Sequence, residues 1–148
     1  MAKFVYKMQS LLNVKSKLED QAKNEYSAAQ ARLREEQDRL RILYERLEGY
    51  IEEGRELRSK TLNVIDLRSN TEAQERIKDF IELQKIEVKK AEDVVEEARI
   101  KLVEAQKERK TQEKLRERAF DEFLLEIKKE ENKEVDELVS YKYSQKRS

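Results

Sequence analysis

Proline is missing from all 148 residues, and so are cysteine, histidine and tryptophan. A proline inside a helix removes a donor, clashes with the preceding turn and costs about 3 kcal/mol. Its absence means that nothing here obliges a helix to stop. Only Gly49 and Gly54 loosen the backbone. Without cysteine there is no disulfide, no thiolate nucleophile and no thiolate metal site, a composition that suits the cytosol. Without histidine the usual general base and the commonest metal ligand are gone. Apolar runs are only a few residues long, far below the ~20 needed to span a bilayer, so direct membrane insertion is not expected. The opening MAKFVYKMQSLLNVK has mixed charge and no long apolar stretch, so no secretory signal is expected. The 33 basic residues balance 33 acidic ones, and no global field favours nucleic acid or an anionic membrane.

What the chain does have is charge, at 45% of residues against 37% hydrophobic. Such a composition describes either a coiled coil or a disordered chain. Ordered heptads favour the coiled coil. Phe4, Met8, Leu11, Leu12, Leu18 and Ala22 begin the apolar pattern. From Tyr26 it alternates in steps of three and four through Ala29, Leu33, Glu36, Leu40, Leu43, Leu47, Tyr50, Gly54 and Leu57. That is the seam of a coiled coil, with Glu36 and Gly54 as weak layers. Leu18 to Ala22 to Tyr26 makes two successive steps of four, which predicts a local slip of register.

A second seam runs Ile77, Ile81, Gln84, Val88, Ala91, Val95, Ala98, Leu102 and Ala105. Gln106 to Lys114 then contains no apolar side chain. The stripe returns with Leu115, Ala119, Phe120, Phe123, Leu124 and Ile127, and a last patch is Val135, Leu138, Val139 and Tyr141. Between the seams, Arg68-Ser69-Asn70-Thr71 is the densest cluster of turn and cap formers. Ser69 with Glu72, or Thr71 with Gln74, has capping-box spacing.

The expected fold is all-α: one long antiparallel two-helix coiled coil, a helical hairpin over 1–148. Helix one should cover about 4–64, the turn about 65–71 and helix two about 72–139, with a disordered tail at 142–148. Opposing residues should then sum to roughly 134, placing Leu47 against the Val88 layer and Leu18 against Arg116 to Phe120. An unbroken parallel dimer is the competing architecture.

The aromatics gather near the termini. They either thicken the open end of the coil or, being too broad a stripe for one partner helix, await a second surface. Lys107, Arg109, Lys110, Lys114, Arg116 and Arg118 form a positive band, and Asp121 to Glu137 carries eight acids against three lysines. Arg109, Gln112 and Arg116 interrupt the apolar seam, so they specify register or meet a partner. Carboxylates at helical spacing, such as Glu104 with Glu108, lie on a convex rod with no pocket to tune them, so no catalytic residue, metal site or cofactor is expected. Gly49 and Gly54 lack the lysine and hydroxyl of a phosphate loop. Acids flank every positive cluster, and aromatic platforms for nucleic acid are absent there.

The opening FVYKMQSLLNVKSKLEDQAKNEY and the later ERKTQEKLRERAFDEFLLEIKKEENKEVDELVSYK resemble the FliJ family, the small soluble component of the bacterial flagellar type III export apparatus. The resemblance implies a hairpin similar to the central stalk of rotary ATPases. It implies a non-enzymatic protein that binds and stimulates the hexameric export ATPase, contacts the membrane export gate and holds export chaperones. Such a protein works in the cytoplasm, peripherally at the membrane of the flagellar base. Carried over, the ATPase-ring interface comprises Phe4, Tyr6, Met8, Leu11, Arg109, Lys110, Arg116, Arg118, Phe120 and Phe123. The export-gate interface comprises Leu43, Leu47, Tyr50, Phe80 and Gln84, where Gln84 is polar and Arg46 stands in place of an expected tyrosine. A stalk or adaptor of a virulence-type secretion system, or a general coiled-coil scaffold, is the alternative.

Overall fold

A computed structural model describes residues 2–60 and 63–147. Two helices account for nearly all of them: α1 (Gln9–Ser59) and α2 (Val64–Arg147). Both are built from strong helix formers, with exposed pairs along one turn such as Arg41 to Asp38 at 2.6 Å and Arg99 to Glu96 at 2.6 Å. Such exposed pairs are screened by water and support the helices only weakly. The helices are antiparallel, and the chain forms the expected all-α helical hairpin. Its contacts fall into two compact units, one of Gln21–Val103 and one of Met1–Asp20 with Glu104–Ser148.

Within the unit 21–103, the side chains turned inward on α1 are Ala22, Tyr26, Ala29, Leu33, Glu36, Leu40, Leu43, Leu47, Tyr50, Gly54 and Leu57. Their α2 counterparts run from Leu67 through Asn70, Ile77, Ile81, Gln84, Val88, Ala91, Val95 and Ala98 to Leu102. Small residues dominate the best-buried layers, Ala29, Ala91 and Ala98 among them, which lets two backbones approach closely.

The reversal comes earlier than the turn formers suggest. Helix α1 ends at Ser59 and α2 begins at Val64, so 65–71 lies inside α2, while residues 61 and 62 lie outside the described residues. Asn63 caps α2: its Oδ1 accepts the Ile65 amide at 3.1 Å and its carbonyl accepts the Leu67 amide at 3.1 Å. Asp66 adds a negative charge to the first turn, which the helix dipole favours. The residues expected to turn have partners that a helix supplies. Arg68 pairs with Glu72 at 3.7 Å, Thr71 donates to the Leu67 carbonyl at 3.0 Å, and Asn70 reaches across to α1.

Moving a hairpin's reversal along the chain displaces the opposing residue by twice that move. The register therefore differs from the expected one: Gln84 lies against Glu36, and Asn70 against Tyr50. The slip expected near Leu18 is also absent. Leu18 is 43% exposed and Glu19 is 4% exposed, so the inward positions run Leu12, Lys15, Glu19, Ala22 without a break in the three-four alternation. Helix α1 starts at Gln9, not near residue 4, and α2 continues through the tail to Arg147, Ser148 being outside the described residues.

Candidate functional site

The unit formed by 1–20 and 104–148 brings the terminal aromatics together. The Phe4 ring stands edge-on to Phe120 at 5.1 Å and tilted to Phe123 at 5.4 Å, and the two α2 rings are 6.5 Å apart. Such pairs contribute about 0.5–1.5 kcal/mol beyond their burial. Residues 2–6 precede α1, and its first turn is closed by the Gln9 amide donating to the Tyr6 carbonyl at 3.1 Å. The Arg116 guanidinium lies 5.7 Å from the centre of the Phe4 ring and donates from Nε to Gln9 Oε1 at 3.0 Å. Phe120 remains 42% exposed, Met8 is exposed, and Tyr6 and Leu11 are half-buried.

Of the cations in the positive band, two are engaged within the hairpin. Arg109 Nε donates to the buried Glu19 carboxylate across the helices, and its Nη1 lies 2.8 Å from Glu113. The hydrogen bond to Glu19, then that to Glu113, holds the Arg109 guanidinium above its ordinary pKa. Arg109 and Arg116 therefore set register and hold the open end. Among the described residues Lys107, Lys110, Lys114 and Arg118 form no ion pair and remain exposed. The buried Gln112 Oε1 has no hydrogen-bond partner among the described residues.

The unit 21–103 presents a different kind of surface. A groove of about 710 Å³ runs beside the seam, with Ile42, Leu43, Phe80, Leu83 and Ile86 as its apolar wall and Arg39, Arg46, Glu87 and Lys90 around it. Arg39 is 3.2 Å from Glu36 and Lys90 is 3.4 Å from Glu87, whereas Arg46 forms no ion pair among the described residues. Leu43, Phe80 and Gln84, expected to act together, all line this groove. Leu47 does not line it and packs in the seam, and Tyr50 lines a separate depression with Leu57, Asp66 and Asn70. Ile42, Leu83 and Ile86 were not singled out by the seam pattern because they lie outside it. Their apolar character at exposed helical positions was the available signal.

Beneath the groove the seam is polar. Glu36 is 2% exposed. It accepts from Gln84 Nε2 at 2.5 Å, while the same amide reaches the Glu36 carbonyl at 3.0 Å. Arg32 at 3.0 Å and Arg39 at 3.2 Å, both on α1, satisfy its other oxygen. The polar Gln84 thus has a reason inside the fold: it closes a buried carboxylate that would otherwise cost several kcal/mol. Asn70 forms a second polar layer, donating to the Tyr50 carbonyl at 2.8 Å and accepting from Gln74 at 2.8 Å. A Cβ on Gly54 would sit 2.7 Å from Asn70 Oδ1, so the glycine makes room for that layer.

Among the described residues no group of histidine, cysteine or carboxylate side chains could hold a metal ion, and no helix is long and apolar enough to cross a membrane. No curated protein and no solved structure matches the chain. The family profile described as Flagellar FliJ protein matches residues 4–148. With a helical hairpin, an aromatic cluster at the open end and a match over almost every residue, the chain belongs to the FliJ family and is a non-enzymatic component of flagellar protein export.

Proposed function

We propose that this chain is the stalk of the export machine, binding and stimulating the hexameric export ATPase and linking it to the membrane export gate and to export chaperones. The observation that carries the ring contact is the set of exposed cations that form no ion pair among the described residues, Lys107, Lys110, Lys114 and Arg118, on the helix that carries Phe120 and Phe123 of the aromatic cluster. Cations without an internal partner are free to meet acidic groups on a ring subunit, and the partly exposed Phe120 offers an apolar centre. An asymmetric stalk in a near-symmetric ring contacts each subunit differently. It can bias their closure with no chemistry of its own.

The gate contact is assigned to the groove lined by Leu43, Phe80 and Gln84, with Ile42, Leu83 and Ile86 added to it. On this reading the chain works at the cytoplasmic face of the membrane, held there by its partners.

The ring contact is tested with Lys110→Glu/Arg118→Glu, which leaves the Arg109–Glu19 and Arg116–Gln9 contacts intact. The expected result is unchanged helicity and roughly tenfold weaker half-maximal stimulation of the cognate export ATPase, about 1.4 kcal/mol of binding. Stimulation equal to that of the unaltered chain removes the assignment of this face.

A further inference from the structure

The end of α2 is an amphipathic helix with nothing against it among the described residues. Every described side chain from Lys128 to Lys146 is exposed, and Val135, Leu138 and Val139 are 56%, 60% and 58% exposed. These three share one face of the helix. Acidic residues crowd around them: between Glu131 and Val139, Glu131, Glu134, Asp136 and Glu137 stand against Lys133 alone, and Lys142, Lys146 and Arg147 follow. None of those carboxylates forms an ion pair among the described residues. A helix of this length without tertiary contacts is marginal in water, so its apolar face gains most by docking.

The chain carries a surface that matches it. The groove beside Leu43 and Phe80 has an apolar wall and three cations to one carboxylate, with Arg46 unpaired among the described residues. Its α2 wall runs from Phe80 to Lys90, about 15 Å at 1.5 Å per residue. The acidic and apolar stretch from Glu131 to Val139 is about 12 Å long by the same measure. Length, apolar character and sign of charge all agree.

We infer that the acidic stretch Glu131–Val139 of α2 in one copy docks into the basic-rimmed groove of a second copy, as a helix laid in a groove. Two different patches meet, so the contact is heterologous and can repeat along a string of copies. Two Glu131–Glu137 stretches laid against each other would repel, which disfavours a symmetric pairing of that stretch. A docked tail occupies the groove assigned above to the gate, so self-association and gate binding exclude one another. Self-docking stands without the export reading; only its competition with the gate rests on that reading.

The test is sedimentation equilibrium of the full chain over a concentration series at low and high salt, with neither ATPase nor gate present. The expected result is a weight-average mass that rises above 17.8 kDa at low salt and returns to it at high salt. Arg46→Glu alone and Glu134→Lys/Glu137→Lys alone should each lose the association while keeping helicity. An equimolar mixture of the two should recover it, because each supplies the half that the other lacks. A chain that stays monomeric throughout overturns the inference. So does association that survives Arg46→Glu, since the tail would then be pairing elsewhere, and so does a mixture that fails to associate.

Discussion

The two compact units use the same three-four alternation to opposite ends. The unit 21–103 closes its interior layer by layer, even where a layer is polar: Glu36 is met by Gln84, and Asn70 by the Tyr50 carbonyl. What it leaves outside is an apolar groove. The unit of 1–20 with 104–148 closes around two cross-helix ion pairs, Lys15–Glu108 and Arg109–Glu19, and three phenylalanines, and leaves cations and a bare helix end outside. A seam of small residues needs only good fit to hold, so its outer faces are free to carry apolar side chains. A seam interrupted by charge relies on specific partners, and the charges left over become a surface.

The sharpest way to break this contrast is Ile81→Ala. Ile81 is 3% exposed in the 21–103 unit, and a cavity there should cost about 2–4 kcal/mol, read as a shift of the denaturant midpoint. Arg109→Ala strikes the other unit. It takes from the buried Glu19 its cross-helix partner, so amide-exchange protection should fall in 9–20 and 105–120 and stay unchanged in 70–100. Equal loss in both would mean that the two units are held by one shared set of interactions.

The two glycines give a smaller and oppositely signed pair. Gly54→Ala forces Asn70 off its hydrogen bonds and should cost about 1–2 kcal/mol, whereas Gly49 has nothing within 4 Å of an added Cβ and Gly49→Ala should stabilise by about 0.5–1 kcal/mol. Thermal melts of both variants decide the signs.

Smallest of all is the effect of acid on an exposed helix pair. The Arg99 guanidinium, hydrogen-bonded at 2.6 and 2.9 Å, holds the Glu96 carboxyl below its ordinary value of 4.5. A lowered folded pKa gives stability that is present in full above the unfolded value and lost as pH falls through the folded one. The melting temperature of Glu96→Gln should therefore lie slightly below the unaltered chain's at neutral pH, and the difference should vanish in acid. A gap that persists in acid would assign the pair's effect to helix propensity.

Much of this architecture was open to a reader of residues alone. The seam from Tyr26 to Leu57 and from Ile77 to Ala105 emerged as expected because helical periodicity is a local property, carried by each side chain's place on its own helix. The aromatic cluster was also legible, since Phe4, Phe120 and Phe123 are too large to leave scattered. Where reading failed, local chemistry pointed one way and cross-helix chemistry another. Leu18 has the better side chain for an interior, yet Glu19 takes the place because Arg109 waits opposite. Asn70 and Thr71 have the profile of turn residues, yet their polar atoms find partners within the hairpin. Asn63, with Asp66 three residues on, carried the true capping signal and was outweighed by a denser cluster nearby.

Two long helices, the absence of any enforced break and the alternation that zips them follow from composition and order, because each depends on the backbone and on neighbours one turn away. The position of the reversal, the pairing of Glu36 with Gln84 and the groove beside Phe80 come into being only when one helix lies against the other. Whether a buried charge or a polar amide can be tolerated depends on the atom that meets it, and that atom lies dozens of residues distant along the chain.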